Sequence, residues 1–228
     1  MYLYTVIYIT RKIFNRRKYT LMKKLRYSLV LCLALISMTA CKKEVKKETT
    51  TPTEEVKKQA PFSLQNAKNE IKWVAYKTTD KVPVKGQFKK VNITAGGEGN
   101  TAKEAINNAA FAIPVSSIFT ADSGRDFKIK KFFFGVMDNT NLLSGKLVIE
   151  TDSTGYSDIT MNGVTKKLPF TYTLNDKNFQ LKGTMKLAAW KAESALDSLN
   201  KVCHDLHKGA DGVSKTWDEV AIEINTQF

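Results

Sequence analysis

Two clusters in this chain have residue types and spacing suited to chemistry, and both lie in stretches of helical periodicity. The first is Cys203-His204-Asp205-Leu206-His207. Cys203 and His207 stand four apart on one helical face, where a thiolate and an imidazole could grip a soft metal ion. One helical turn does not complete a coordination sphere, and the chain has no histidine beyond His204 and His207. The competing reading places Cys203 in an apolar stripe with Leu199 and Leu206, the histidines at its edge. The second cluster is Arg125, Lys128, Lys130 and Lys131, beside Phe132-Phe133-Phe134. Cations next to an aromatic wall suit an amphiphile: Arg125 and Lys131 would meet an anionic headgroup while the apolar part is buried. A solvated helix face is the plainer account. Asp122, Asp126 and Asp211 fall near turns or helix starts, where capping explains them. No nucleophile–base pair, phosphate loop or paired carboxylate occurs, so the expectation is a protein without catalysis, cofactor or metal.

The elements that position these residues are mostly strands. From Tyr156 to Leu187 the chain reads as a β-meander: Ile159 and Met161 alternate with polar residues, and Asn162-Gly163 supplies a type I′ turn. Leu168, Phe170, Tyr172 and Leu174 then share one face, and after a turn at 175–178 so do Phe179, Leu181, Gly183, Met185 and Leu187. Earlier runs give strands from Glu70, from Val82 to Ile93, and through Ala109, Phe111, Ile113 and Val115; Leu143–Glu150 gives a fourth. Gly86, inside the second, predicts a bend or bulge. Ser123 is placed to cap a short helix carrying Phe127 and Phe132. A longer helix runs from Glu193 to Lys208, with Ala195, Leu199, Val202 and Leu206 as its apolar stripe and Gly209 as its end. Val220, Ile222 and Ile224 form the last strand. The architecture predicted is all-β: an eight-stranded antiparallel up-and-down barrel, lipocalin-like, with two helical insertions.

The beginning of the chain is not part of that barrel. Met22-Lys23-Lys24-Leu25-Arg26 and the apolar run Tyr27–Met38 form a secretory signal, with Met22 as the expected start. Met38-Thr39-Ala40-Cys41 has the form of a lipobox, so residues 1–41 would be removed or lipidated at Cys41; an ordinary signal peptide with an incidental cysteine is the alternative. Residues 42–60, rich in Lys, Glu and Thr, read as a disordered tether, and 61–228 as one domain large enough to bury roughly 70% of its unfolded surface. The expected place is the cell envelope, anchored by lipid to the outer membrane and facing the periplasm or the surface. Of the formal charge of +14, residues 1–41 contribute eight Lys and Arg and no acid. No basic stripe with interleaved aromatics exists elsewhere, so nucleic acid is not an expected partner. With Cys32 and Cys41 in that segment, Cys203 has no intrachain partner. A homodimer is left open.

Four segments in order resemble a known family: Trp73-Val74-Ala75-Tyr76-Lys77; Val84-Lys85-Gly86-Gln87-Phe88; Ser116-Ser117 and Arg125-Asp126 ahead of Lys131-Phe132-Phe133; and Met161-Asn162-Gly163-Val164-Thr165-Lys166. Together they are similar to the YceI-like domain over nearly all of 62–228. The resemblance implies an exported lipocalin-like barrel enclosing a polyisoprenoid or other long apolar lipid. It departs in lacking a histidine near the second strand, where Lys81-Val82-Pro83-Val84 stands, and in its long helix before the last strand. On this reading Trp73, Phe88, Phe111, Phe132, Phe133, Phe170, Tyr172, Phe179 and Met185 line the interior. The rival expectation is a structural or stress-related envelope protein with a solid-packed barrel and no ligand.

Overall fold

Alternation of apolar and polar residues becomes strand almost wherever it occurs. The computed structural model describes residues 60–228; the signal segment, Cys41 and the tether up to residue 59 lie outside them. The strands are β1 (Phe62–Ser63), β2 (Lys68–Lys77), β3 (Val82–Phe88), β4 (Asn92–Ala95), β5 (Glu98–Gly99), β6 (Ala110–Pro114), β7 (Ile118–Phe119), β8 (Leu142–Ile149), β9 (Thr154–Met161), β10 (Val164–Asn175), β11 (Asn178–Lys186) and β12 (Thr216–Gln227). Three short α-helices join them: α1 (Ala102–Ile106), α2 (Ser123–Lys128) and α3 (Glu193–Val202). β1 and β5 pair alone. The others form one antiparallel ten-stranded sheet, β4-β6-β8-β9-β10-β11-β12-β2-β3-β7, curled strongly into a half-barrel.

Ten segments appear where the sequence suggested eight because two strands are each broken by a bend. β3 and β4 are separated only by residues 89–91, and β6 and β7 only by the 3-10 turn Val115–Ser117. The halves stay in nearly one register: Gln87 and Phe88 face Phe119 and Ile118, while Asn92 and Ile93 face Ala112 and Phe111. The two ends of the sheet order therefore belong to the same two stretches of chain.

The meander has the expected form. Asn162 and Gly163 both have positive φ, 52° and 67°, and Met161 pairs with Val164 across the turn. Along β10 and β11 the inward residues divide between two clusters. Tyr172 and Phe179 pack with Leu64 of the β1–β5 side and Ile106 of α1, filling one end. Leu168 and Met185 pack with Trp73, Phe133, Phe134 and Ala195, beneath α3 and the π-helical turn Ile129–Phe133 at the other.

The helices depart from expectation in three respects. Asp122, not Ser123, caps α2: its carboxylate accepts from Arg125 N at 2.9 Å. α1 was not foreseen, although Thr101 caps it: Glu104 N donates to Thr101 Oγ1, and the Glu104 side chain reaches back past the cap to accept from Asn100 N. α3 ends at Val202, before Gly209, because the chain turns back at once: Lys215 N donates to His207 O, and Ser214 and Thr216 donate to Asn200 Oδ1. Its buried stripe continues through Cys203, while Val202 and Leu206 face outward, 38% and 56% exposed.

Candidate functional site

The curled sheet surrounds an apolar cavity of about 160 Å³. Every strand of the large sheet except β4 contributes to its wall, and Ile129, Phe133, Phe134, Leu196 and Leu199 close it on the helical side. The polar residues in the lining are Ser157 and Thr216. A second space of about 40 Å³ shares Ile71, Phe111, Leu147 and Leu181 with the first and extends toward Phe179 and Leu64.

The central space exists because three large rings are seated on glycines. Trp73 faces Gly86 across β2 and β3, Phe111 faces Gly145 across β6 and β8, and Phe170 faces Gly155 across β9 and β10. A Cβ on any of these glycines would overlap the opposite ring. Each ring therefore lies along the wall over its neighbouring strand rather than across the lumen. Gly86 does not mark the expected bend: β3 runs through it in register, and the break comes at residues 89–91.

Residues 62–228 match the YceI-like domain. The chain belongs to that family. Among curated proteins none matches it. Of solved structures, a polyisoprenoid-binding domain from Saccharophagus degradans, implicated in plant cell wall breakdown, shares 12% identity at a TM-score of 0.50, covering 69% of this chain and 91% of its own. BcnA of Burkholderia cenocepacia shares 19% identity at a TM-score of 0.44, covering 69% and 94%. A YceI protein of Campylobacter jejuni shares 18% at 0.40, covering 62% and 84%. At these identities the likeness concerns the fold.

Within this YceI-like domain, Trp73, Phe88, Phe111, Phe133, Phe170 and Met185 line the larger cavity. Phe179 lines the smaller one. Tyr172 lines neither; its ring packs against Phe179 at 5.3 Å and its hydroxyl donates to Thr151 O at 2.7 Å, so it seals the end below. Phe132 is half-buried outside the cavity, edge-on to exposed Phe127. The cause is the π-helical turn: Phe134 N donates to Ile129 O, and the extra residue in the turn rotates Phe133 and Phe134 inward together. Of the aromatic run, Phe133 and Phe134 thus form wall and Phe132 does not; Leu196 and Leu199 were missed as wall residues, although their helical spacing was the available signal.

The basic cluster is not gathered at the cavity. Arg125 pairs with Asp122 at 3.5 Å, and Lys131 lies over the rings of Phe127 and Phe132. The cations against a wall residue are instead Lys81 and Lys215, 4.9 and 3.7 Å from the Trp217 ring centroid. Lys81 also pairs with Glu219 at 3.2 Å.

Cys203 and His207 do not form a ligand pair with a third group; among the described residues no cluster of three or more His, Cys, Asp or Glu occurs. Burial pushes the Cys203 thiol up, disfavouring the thiolate that binds metals. His207 Nδ1 lies 2.7 Å from Thr216 Oγ1, whose own hydrogen goes to Asn200 Oδ1, so the ring is bound into the loop after α3. Burial first, then Lys77 and Lys128, lower its pKa to about 4 and hold it neutral. His204 points outward to Asp205.

Proposed function

We propose that this protein binds or carries a long apolar lipid, isoprenoid-like, inside its curled sheet and performs no catalysis. The observation that carries the reading is the cavity: apolar walls drawn from nearly all strands, kept open by rings laid over glycines. Membership of the YceI-like family and the polyisoprenoid-binding description of the Saccharophagus degradans domain support the ligand class. On this reading the β3–β4 and β6–β7 ladders form one bent seam, so that eight strands close a lipocalin-like barrel. Burying ~400 Å² of tail at about 25 cal/mol per Å² offers ~10 kcal/mol before the costs of association. An anionic headgroup would be met by Lys81 and Lys215 at Trp217 rather than by Arg125 and Lys131. The segment ending at Cys41 would anchor the protein by lipid in the cell envelope, at the outer membrane.

The volume favours a second reading. About 160 Å³ is close to the size of cavity that takes up benzene and below the range of about 300–1,000 Å³ typical of ligand pockets. A long chain enters only if Phe133, Phe134, Leu196 and Leu199 move away with the helical cap; otherwise the barrel is a packed envelope protein without ligand. Native mass spectrometry of the full chain from a bacterial envelope fraction, followed by organic extraction, separates the two. A stoichiometric lipid of isoprenoid mass is expected; a lipid-free chain supports the packed barrel. In the same preparation Cys41→Ser is expected to move the protein from the membrane to the soluble fraction.

A further inference from the structure

We infer that the outer face of the helical cap is a docking surface for an anionic lipid bilayer. The face belongs to residues 123–136, a continuous helical stretch from α2 through the π-helical turn to Val136, on the side where the lumen is closed. Docking there needs no lumen ligand, so it stands apart from the carrier reading.

The two sides of this stretch differ. Ile129, Phe133 and Phe134 turn inward and form cavity wall. Phe127 and Val136 face solvent, 56% and 50% exposed, with half-buried Phe132 beside them. Phe127 and Phe132 meet edge to face with centroids 6.3 Å apart, and Lys131 Nζ lies 5.4 and 5.3 Å from the two rings. Between Phe127 and Met137 the chain has three lysines, Lys128, Lys130 and Lys131, and no acid. Among the described residues none of the three is in an ion pair. The acids just upstream are engaged locally. Asp122 caps α2 and pairs with Arg125, and Asp126 accepts from Thr120 N and Oγ1 at 2.9 and 2.7 Å. α3, packed on the π-helical turn, carries exposed Glu193 and Asp197, and neither pairs with the lysines. Lys128 also acts electrostatically on both Cys203 and His207. That brings Leu206, 56% exposed in the turn between them, to the edge of the same face.

Unpaired cations beside exposed rings fit one kind of surface. At a bilayer, aromatic rings settle at the level of the headgroups, while lysine stems follow the apolar layer and their ammonium groups reach the phosphates. A second copy of this chain in a two-fold contact would set the same three cations against themselves, which like-charge repulsion opposes. An anionic bilayer offers negative charge and an apolar layer side by side, and each lysine near it strengthens docking about fivefold. If the lumen carries lipid, docking also sets the bilayer against the cap that has to move for the lipid to pass.

The test places tryptophan on the face, as Phe127→Trp in the full chain, and reads its emission as the difference from the parent chain. The chain is reconstituted in vesicles of brominated phosphatidylcholine, with or without one-third phosphatidylglycerol. Quenching of the added tryptophan by the brominated chains is expected with phosphatidylglycerol and not without it. It should be reversed by about 1 M salt, where the Debye length is about 3 Å. Changing Lys128, Lys130 and Lys131 together to glutamine should weaken docking by about a hundredfold, from about fivefold per lysine, and abolish the quenching. The lipid and salt comparisons use one protein, so they decide the matter even if the triple variant disturbs folding. Absence of quenching on the anionic vesicles overturns the inference. Equal quenching on both vesicles does so too, since the N-terminal segment would then hold the domain at the surface without regard to charge. A blue shift that grows with protein concentration in the absence of vesicles also overturns it, by showing a second copy on the face. Each of these results leaves the extraction of lipid from the lumen, and the carrier reading with it, untouched.

Discussion

Gly86 shows how much of the cavity rests on single atoms. The Trp73 indole occupies the place where a side chain at position 86 would begin, so Gly86→Ala must push the ring off the wall and into the lumen. The expected cost is about 2 kcal/mol in a urea melt, with a shifted tryptophan emission. Trp73→Leu in the same background should recover most of it, because the two residues act as a unit. In the sequence Gly86 reads as a bend or bulge, and Gly145 and Gly155 carry no signal of their own. Their role depends on which aromatic lies opposite, and that is set by strand register, which is not readable from either strand alone. His207 makes a second prediction at this scale. Its pKa falls from 6.5 to about 4 on folding, so the unfolded chain binds the proton more tightly and stability must decline as the pH drops from about 6.5 toward 4. The paired carboxylates act lower: Glu70, lowered to about 2 by its bonds to Lys72 and Lys68, loses its contribution only as pH falls below the ordinary carboxylate range. A melting temperature that drops between pH 6.5 and 5 in the parent and stays nearly level in His207→Gln is the expected result.

At the level of elements, the legible parts were those whose period is short and whose turns carry their own chemistry. β9, β10 and β11 were readable because apolar residues alternate for whole strands and Asn162-Gly163 accepts positive φ. The helical cap was not, since the π-turn at Ile129–Phe133 and the early end of α3 answer to contacts distant in sequence, Asn200 with Thr216 among them. The same hairpin turn does more than reverse the chain. Asn162 Nδ2 donates to Trp190 O at 3.0 Å and Lys191 O at 2.8 Å, and its Oδ1 accepts from Asp138 N at 2.9 Å. It ties the β9–β10 turn to the segment leading into α3 and to the loop before β8. Asn162→Gly keeps the turn and loses these bonds, at an expected cost of about 2 kcal/mol; Asn162→Ala loses them too and puts alanine, which tolerates the left-handed region less well than asparagine or glycine, at that position, and should cost about 1 kcal/mol more. Chemical denaturation of the two variants side by side checks the order. Equal, negligible losses would show that the clamp contributes nothing.

For the molecule as a whole the question is whether the curled sheet is hollow in use, and one substitution separates the answers. Ala75 lies on β2 in the wall of the larger cavity, partly buried, on the same inward face as Ile71 and Trp73. Ala75→Phe adds a benzene-sized ring directed at a space of about 160 Å³, similar to the cavity volume that accepts such a ring. If that space is held open for a ligand, the ring occupies it: the melting temperature holds or rises, because a void is filled with dispersion contacts, and the lipid recovered on extraction disappears. If the interior is instead packed around no ligand and closes onto itself in solution, the added ring has nowhere to go. The variant then loses about 1–3 kcal/mol through overpacking, with nothing extractable to lose. Stability holds while lipid is lost under the first reading, and stability falls with no lipid to lose under the second, so measuring both on one preparation of Ala75→Phe distinguishes a carrier from a packed barrel.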